Sequence, residues 1–490
     1  MSNRFDPDLG WHLRFGKEAF EGYFSFNDSY TWGNFNWPWI NHEWGGDLLY
    51  WLIYSNFGYG LLLILTSVAA FGGYILSSLR FNNKISAGGL LSVIILSYSA
   101  FGILIMRLAT LTVLFYAILL YSLAFAHQKN WYYWWPILFW IWSIIHGSWF
   151  IGITIACVYW SGMVVDNLFE RYLNYKPFNK VETKKLIKIF ASIIISLLVV
   201  TINPYGFKLA AEVLTYFKID YFKTTISEWT ASCAFPIYLA PIIFIPILLT
   251  VNFNLWRRKK ITTGELLVSI MLSVAAIKYR RQWLAASLAL IPTLGALFDL
   301  IIVSISNYLN NKLRMFLSII MVVCLLLVNV NFFTFNLREN PWSNEKLIEN
   351  NNIPFLAINY LKNELPDNSL TDIFNEYNWG GYMNWAVPEA RVFIDGRGSG
   401  TWLVGTSTPF LKVYHNYLYN NGGLNIIENS KAKYVLLKNY VSSTVKISWL
   451  DRQFYVVNFR TSTELSRSLD KSQNWEKIYI DNKAVIWRKK

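Results

Sequence analysis

Residues 58–80 read GYGLLLILTSVAAFGGYILSSLR, an apolar stretch whose single charge, Arg80, comes last. A helix rises 1.5 Å per residue, so roughly 20 apolar residues cross a bilayer core, and this stretch predicts a membrane span. Working outward, runs of the same kind recur at 86–106, 108–127, 131–147, 149–166, 186–203, 236–252, 262–279, 283–304 and 314–334. Within 131–166 the only break is His146-Gly147-Ser148. A chain of 490 residues that is 54% hydrophobic and 18% aromatic, with a mean hydropathy of +0.30, is too apolar for an ordinary soluble enzyme. The expected fold is a polytopic α-helical membrane protein with about ten spans.

The net charge of +14 raises the question of nucleic acid, and the distribution of the basic residues answers it. Arg80 and Lys84, Lys129, the set Arg171, Lys176, Lys180, Lys184, Lys185 and Lys188, the run Arg257 to Lys260, and Lys312 with Arg314 all fall in alternate loops. That is the positive-inside bias, and it places those loops in the cytoplasm of a multi-pass cell-membrane protein. Nucleic-acid binding would instead gather the charges on one exposed face. By the same alternation residues 1–57, the 203–235 loop and everything after 335 lie on the outer side.

The first 57 residues are dense in acids, histidines and tryptophans: Asp6, Asp8, Trp11, His12 and Arg14, then Trp39, Asn41, His42, Glu43, Trp44 and Asp47. Carboxylates and imidazoles supply bases and ligands, and indoles favour a membrane interface. An aromatic anchoring loop that has collected charges would give the same pattern. No apolar run precedes this segment, so an outer position implies either translocation behind the first span or a further span encoded upstream of Met1. The second is the expectation adopted, and an upstream reading frame without an apolar run would remove it.

Cys157, Cys233 and Cys324 are too scattered for a disulfide framework or a thiol metal site, and read as small packing residues. After Asn336 the composition turns polar and mixed. Helical patterns at 353–364 and 407–419 alternate with extended ones at Thr371 to Phe374, Arg391 to Ile394 and Lys433 to Leu437. Trp475 to Ile480, Asp481-Asn482 and Lys483 to Trp487 then predict a hairpin with a two-residue turn. Residues 335–490 are therefore expected to form a soluble α/β domain, distinct from the helical domain 58–334.

An Arg near mid-span costs on the order of 3 kcal/mol, so cations at membrane depth need a reason. The alternation puts Arg107, His146, Asn203, Lys278, Arg280 and Arg281 at the outer face. Cations converging there beside an acidic loop would suit an anionic headgroup such as a lipid phosphate or pyrophosphate. Capping of span ends by snorkelling side chains is the other reading, and it suits Lys278 best.

Asp6-Pro7-Asp8-Leu9-Gly10-Trp11-His12-Leu13-Arg14-Phe15-Gly16, followed by Asn41-His42-Glu43-Trp44, resembles the first outer loop of bacterial GT-C membrane glycosyltransferases. These are polyprenyl-phosphate-sugar-dependent enzymes related to the protein mannosyltransferases. Met106-Arg107, His146-Gly147, Asn203-Pro204-Tyr205-Gly206, Glu228-Trp229, Arg280-Arg281, Trp379-Gly380-Gly381-Tyr382 and Phe393-Ile394-Asp395-Gly396-Arg397 look like the same group, so the resemblance covers nearly the whole chain. It departs from the family in lacking a span before the acidic loop and in carrying Gly10-Trp11 where many relatives carry two tryptophans.

The resemblance implies transfer of a sugar from a lipid-linked donor to an acceptor hydroxyl on the outer face. An Asp of the first outer loop would be the general base, here Asp8 first and Asp6 second. His12, His42, Glu43 and Asp47 would support the acceptor or hold a divalent cation, which some relatives require and others do not. Arg107, Arg280, Arg281 and His146 would take the lipid phosphate. The glycines of Trp379-Gly380-Gly381-Tyr382 and Asp395-Gly396-Arg397 fit either close approach to an acceptor or plain turn chemistry with an Asp–Arg pair fixing a loop. Two rival classes stay open. A transporter would put acids or broken helices at the bilayer midplane and carry internal repeats, and neither is evident here. A non-catalytic scaffold or sensor would use the spans as an anchor and the outer domain as its binding module.

Overall fold

The computed structural model describes residues 2–308, 353–439 and 463–490, apart from 34–35, 82, 101–102, 174–176, 178, 217, 227, 230–238, 366–369, 398–401 and 405–407. The span expected at 314–334, with Lys312 and Arg314, lies outside the described residues, as do Lys176, Cys233 and Cys324. Two compact units divide the chain. A helical unit takes Met1–Asn3, Leu63–Gly206 and Ile226–Pro341, and a sheet unit takes Arg4–Leu62, Phe207–Thr225 and Trp342–Lys490.

Each apolar run expected up to residue 304 contains a helix. Among the described residues three helices, Trp44–Ser78, Trp149–Tyr172 and Arg280–Ile305, are long and apolar enough to cross a membrane, and Ala87–Ser99 and Leu108–Ala124 are shorter apolar helices. The run at 86–106 stops being helical after Ser99 and becomes extended at Ile105–Met106. That at 131–147 opens with a 3-10 turn, Trp131–Trp134. Helices pack here through small residues that let backbones meet. A Cβ on Gly162 would collide with the backbone of Gly264, and one on Gly88 with the carbonyl of Gly295. Large apolar side chains point outward instead, with Val68, Phe71, Leu198 and Ile202 each more than 60% exposed. Such faces are costly in water and at home in lipid. Arg80 does not extend into a loop as expected. It is sealed inside the helical unit, donating from Nη2 to Glu265 at 3.3 Å and to the Ala289 carbonyl at 2.8 Å.

In the sheet unit five strands lie in the order Ala390–Val392, Thr371–Asn375, Tyr434–Lys438, Ala484–Lys489, Trp475–Ile480. The first three are parallel and the last two antiparallel. Ile358, Leu361, Ile373, Met383, Val392 and Leu436 belong to one buried core, the cover that parallel strands require. The expected strand Arg391 to Ile394 ends at Val392, because the amides of Phe393 and Ile394 turn to Asn375 Oδ1 at 2.8 and 3.3 Å. The C-terminal hairpin keeps its two-residue turn but one residue later than expected: Ile480 pairs with Val485 and the Asp481 amide donates to the Ala484 carbonyl at 3.0 Å, which leaves Asn482-Lys483 as the turn. The Asp481 carboxylate there accepts the amides of Lys483 and Ala484, each at 2.7 Å.

Trp379-Gly380-Gly381-Tyr382 lies within a helix, Tyr377–Ala386. This corrects both sequence readings of the pair, since neither glycine has a positive φ and the close approach is to protein. A Cβ on Gly381 would meet the Pro7 carbonyl, one on Gly380 the Ile394 carbonyl, and one on Gly10 the Gly381 carbonyl. The glycines thus seat the start of the helix Leu9–Phe20 directly on the helix Tyr377–Ala386.

Candidate active site

In open α/β sheets the loops after the carboxyl ends of parallel strands carry the chemistry. Here they hold Asn375-Glu376 after one strand and Phe393 to Arg397 after its neighbour. Against the second loop stands Asp8, the residue preceding the helix Leu9–Phe20; a Cβ on Gly396 would collide with its carboxylate. Only glycine allows that approach. Asp8 is partly exposed. Its Oδ1 accepts Trp11 Nε1–H at 3.1 Å, and its amide donates to Asp6 Oδ1 at 3.0 Å. The positive end of a helix favours a carboxylate there.

Behind it lie buried acids and an imidazole. His12 Nδ1 and Asp47 Oδ1 are 2.5 Å apart, and His12 Nε2 is 3.6 Å from Glu43 Oε2. Asn41 Nδ2 donates to the other Asp47 oxygen at 2.6 Å, and Asn41 Oδ1 accepts the Glu43 amide at 3.0 Å. His42 Nε2 stands 3.9 Å from Glu43 Oε1, its ring 5.7 Å from that of Tyr216. Trp11 covers the His12 ring at 3.6 Å. Asp6, Asp8, His12, His42, Glu43 and Asp47, all singled out from the sequence, therefore come together.

Burial and the Asp6 charge push the Asp8 carboxyl up to about 7, against the pull of His12 and Trp11. Burial pushes Glu43 up to about 8, with Asp47, Asp8 and Asp6 adding to it and His12 opposing. Burial alone would lower His12, but Asp47, Glu43 and Asp6 outweigh it and raise the imidazole to about 9. Near neutral pH the cluster thus holds a charged His12, a largely protonated Glu43 and an Asp8 poised between its two forms.

As for a divalent cation, among the described residues no group of three or more His, Cys, Asp or Glu side chains is arranged to hold one. Four of the oxygens that would ligate it, Asp6 Oδ1, Asp8 Oδ1 and both of Asp47, are turned to the Asp8 amide, Trp11, His12 and Asn41. The donor set does not fit a metal.

Arg397 fixes the neighbouring loop. Its Nε and Nη2 reach Asp395 at 2.8 to 3.1 Å and its Nη2 reaches Asp28 Oδ1 at 2.6 Å, while the guanidinium lies 4.4 and 4.5 Å from the Tyr30 and Trp39 rings. The Asp–Arg pair is as the turn reading has it. Nothing in the sequence marks Asp28, one more acid in a polar loop.

The helical unit carries a second cluster. Arg107 Nη1 pairs with Glu228 Oε1 at 2.5 Å. Arg281 donates its amide to the Glu228 carbonyl at 3.0 Å and lays its guanidinium 4.6 Å from the Trp229 ring. Burial pushes the Glu228 carboxyl up, but Arg107, Arg281 and Arg280 together bring it below its usual range. Ser148 N–H donates to His146 Nδ1 at 3.0 Å. The neutral ring then carries its proton on Nε2, which faces Arg281 Nη2 at 3.5 Å. Lys278 lies over its neighbour Tyr279 at 5.4 Å. Arg107, His146, Arg280 and Arg281 were expected from the sequence, whereas Glu228 was noted only within a motif and given no role.

No protein-family model and no curated protein matches the chain. In fold it is similar to solved structures of an oligosaccharyltransferase from Archaeoglobus fulgidus. One shows archaeal oligosaccharyltransferase AglB in complex with an inhibitory peptide and a dolichol-phosphate (TM-score 0.54, 11% identity, covering 89% of this chain and 66% of that one). Another is tethered to an acceptor peptide containing the NVT sequon via a disulfide bond (TM-score 0.53, 11% identity, again 89% and 66%). This chain spans 66% of the length of those structures.

Proposed function

We propose that the protein is a GT-C-type membrane glycosyltransferase. It moves a sugar from a polyprenyl-phosphate-linked donor to an acceptor hydroxyl on the outer side of the cell membrane, and about ten spans hold it there. The observation that carries this reading is Asp8: a partly exposed carboxylate at a helix start, backed by a buried His12–Asp47 pair and packed on Gly396.

Asp8 is the general base. As the acceptor oxygen attacks the anomeric carbon, its proton passes to Asp8, the sugar–phosphate bond breaks and the lipid phosphate leaves. Proton acceptance helps most when the base's pKa lies near the working pH, and the burial-raised Asp8 meets that condition. Asp6 orients Asp8 through its amide. His12 holds the charge balance of Asp47 and Glu43, and His42 with Glu43 is available to orient the acceptor.

Within the helical unit, Arg281 and His146, 3.5 Å apart, are the residues for a lipid phosphate, and Arg107 and Arg280 add positive potential. The fold neighbour's complex with a dolichol-phosphate supports a lipid-phosphate donor here. Asp8→Asn and Asp6→Asn proteins, reconstituted in liposomes with polyprenyl-phosphate sugars, test the assignment. Asp8→Asn should lose about 10²- to 10⁴-fold in transfer rate and Asp6→Asn less. Full activity in both removes the base.

A further inference from the structure

The amino ends of the parallel strands carry a feature that sugar transfer does not use. An open cleft of about 460 Å³ is lined by Asp372, Arg391, Lys431, Lys433 and Lys489, with Ser430 at its side. The strand Thr371–Asn375 separates it from the acids at the carboxyl ends by five residues, roughly 15 Å of extended chain.

The charges in the cleft do not cancel. Arg391 is matched by Asp372, Nε to Oδ1 at 2.7 Å, which leaves three lysines. The sheet register forces two of them together. Tyr434 pairs with Arg488 across an antiparallel ladder and the Lys489 amide donates to the Lys433 carbonyl at 2.9 Å, so Lys433 and Lys489 stand opposite each other. Like charges directly across a ladder are destabilising. Lys489 Nζ turns to the backbone carbonyl of Glu428 at 2.5 Å, a contact that leaves its charge uncompensated. Lys431 lies two residues before Lys433, in the bend that leads into the strand Tyr434–Lys438, and lines the same cleft.

We propose that this cleft is a second binding site, for a phosphate-bearing ligand with at least two negative charges. Convergent ammonium groups around an arginine held flat by a carboxylate suit phosphate oxygens, and the Ser430 hydroxyl adds a polar lining group. A soluble oligophosphate and an anionic lipid headgroup present the same chemistry.

The test uses the full chain in nanodiscs with tripolyphosphate as probe. In zwitterionic discs the wild type should bind the probe, more weakly as salt rises, and its melting temperature should climb on addition. Lys433→Gln should weaken binding about tenfold, and Lys431→Gln/Lys433→Gln should abolish the thermal shift. Without probe, Lys433→Gln should melt at or above the wild-type temperature because the like-charge pair is gone. Discs containing phosphatidylglycerol separate the sources: displacement of the probe there identifies a headgroup, and unchanged binding a soluble ligand. Absence of binding by the wild type, or equal binding by the double variant, overturns the proposal.

Discussion

Arg397 and Asp28, 369 residues apart in the chain, meet Nη2 to Oδ1 at 2.6 Å with both side chains wholly shielded from solvent. The contact ties the loop after the helix Leu9–Phe20 to the loop after the strand Ala390–Val392, the loop that also carries Gly396. Removing one partner of a sealed pair leaves a buried charge, which costs about 3–5 kcal/mol. Arg397→Met should therefore lower thermal stability by that order. Arg397→Lys should recover only part, since one ammonium cannot reproduce the fork to Asp395 and the stacking on Tyr30 and Trp39. Thermal unfolding of the purified protein checks both.

Gly381 and Gly10 hold the helix Leu9–Phe20 on its partner helix by backbone contact, which cannot yield as a flexible side chain can. Gly381→Ala should cost about 1–3 kcal/mol, and with it activity, because Asp8 begins that helix. Gly72→Ala is the control: nothing stands within 4 Å of its added methyl, and alanine is the better helix former by about 1 kcal/mol. A similar melting temperature for the two variants would argue against the close approach.

His12 and Glu43 make stability depend on pH in a stated sense. The His12 pKa of about 9 in the folded protein exceeds its ordinary 6.5. Its pairing therefore stabilises fully below pH 6.5 and is lost as pH rises towards 9. Glu43, raised from 4.5 to about 8, binds its proton more tightly when folded, so its ionisation also removes stability as pH climbs through that range. The advantage of wild type over His12→Gln should shrink between pH 6.5 and 9, and Glu43→Gln should flatten the decline between pH 4.5 and 8. Denaturant titrations at several pH values measure both.

Much of this arrangement was legible in the sequence, though unevenly. Apolar runs announce helices because burial in lipid leaves so few residue choices, and Asp6 to Asp47 drew notice as acids and imidazoles crowded between tryptophans. What local patterns cannot carry is partnership over distance. Asp28 and Glu228 are ordinary acids until the fold brings Arg397 and Arg107 to them. Gly380-Gly381 reads as a turn because two adjacent glycines disfavour a helix, and only the backbone of Pro7 to Gly10 explains their place in one. The pattern at 391–394 reads as extended throughout because Asn375, which claims the amides of Phe393 and Ile394, lies in a different strand.

In the helical unit, Arg107 and Glu228 form a charge-assisted hydrogen bond worth about 2 kcal/mol. Arg107→Gln and Glu228→Gln should each destabilise, and the double variant should lose less than the sum. Lipid-donor affinity should separate the residues by role. Arg281→Ala should raise KM for the polyprenyl-phosphate sugar more than Glu228→Gln does. Equal KM values in those two variants would remove the phosphate assignment of Arg281.

The most direct measurement is the rate of sugar transfer in liposomes from pH 5 to pH 9, for wild type and Asp8→Asn side by side. A base must be unprotonated to act, so the wild-type rate should climb as pH rises through about 7, where burial places the Asp8 carboxyl. The residual rate of Asp8→Asn should lack that limb. The same limb in both proteins, at comparable rates, would contradict the account.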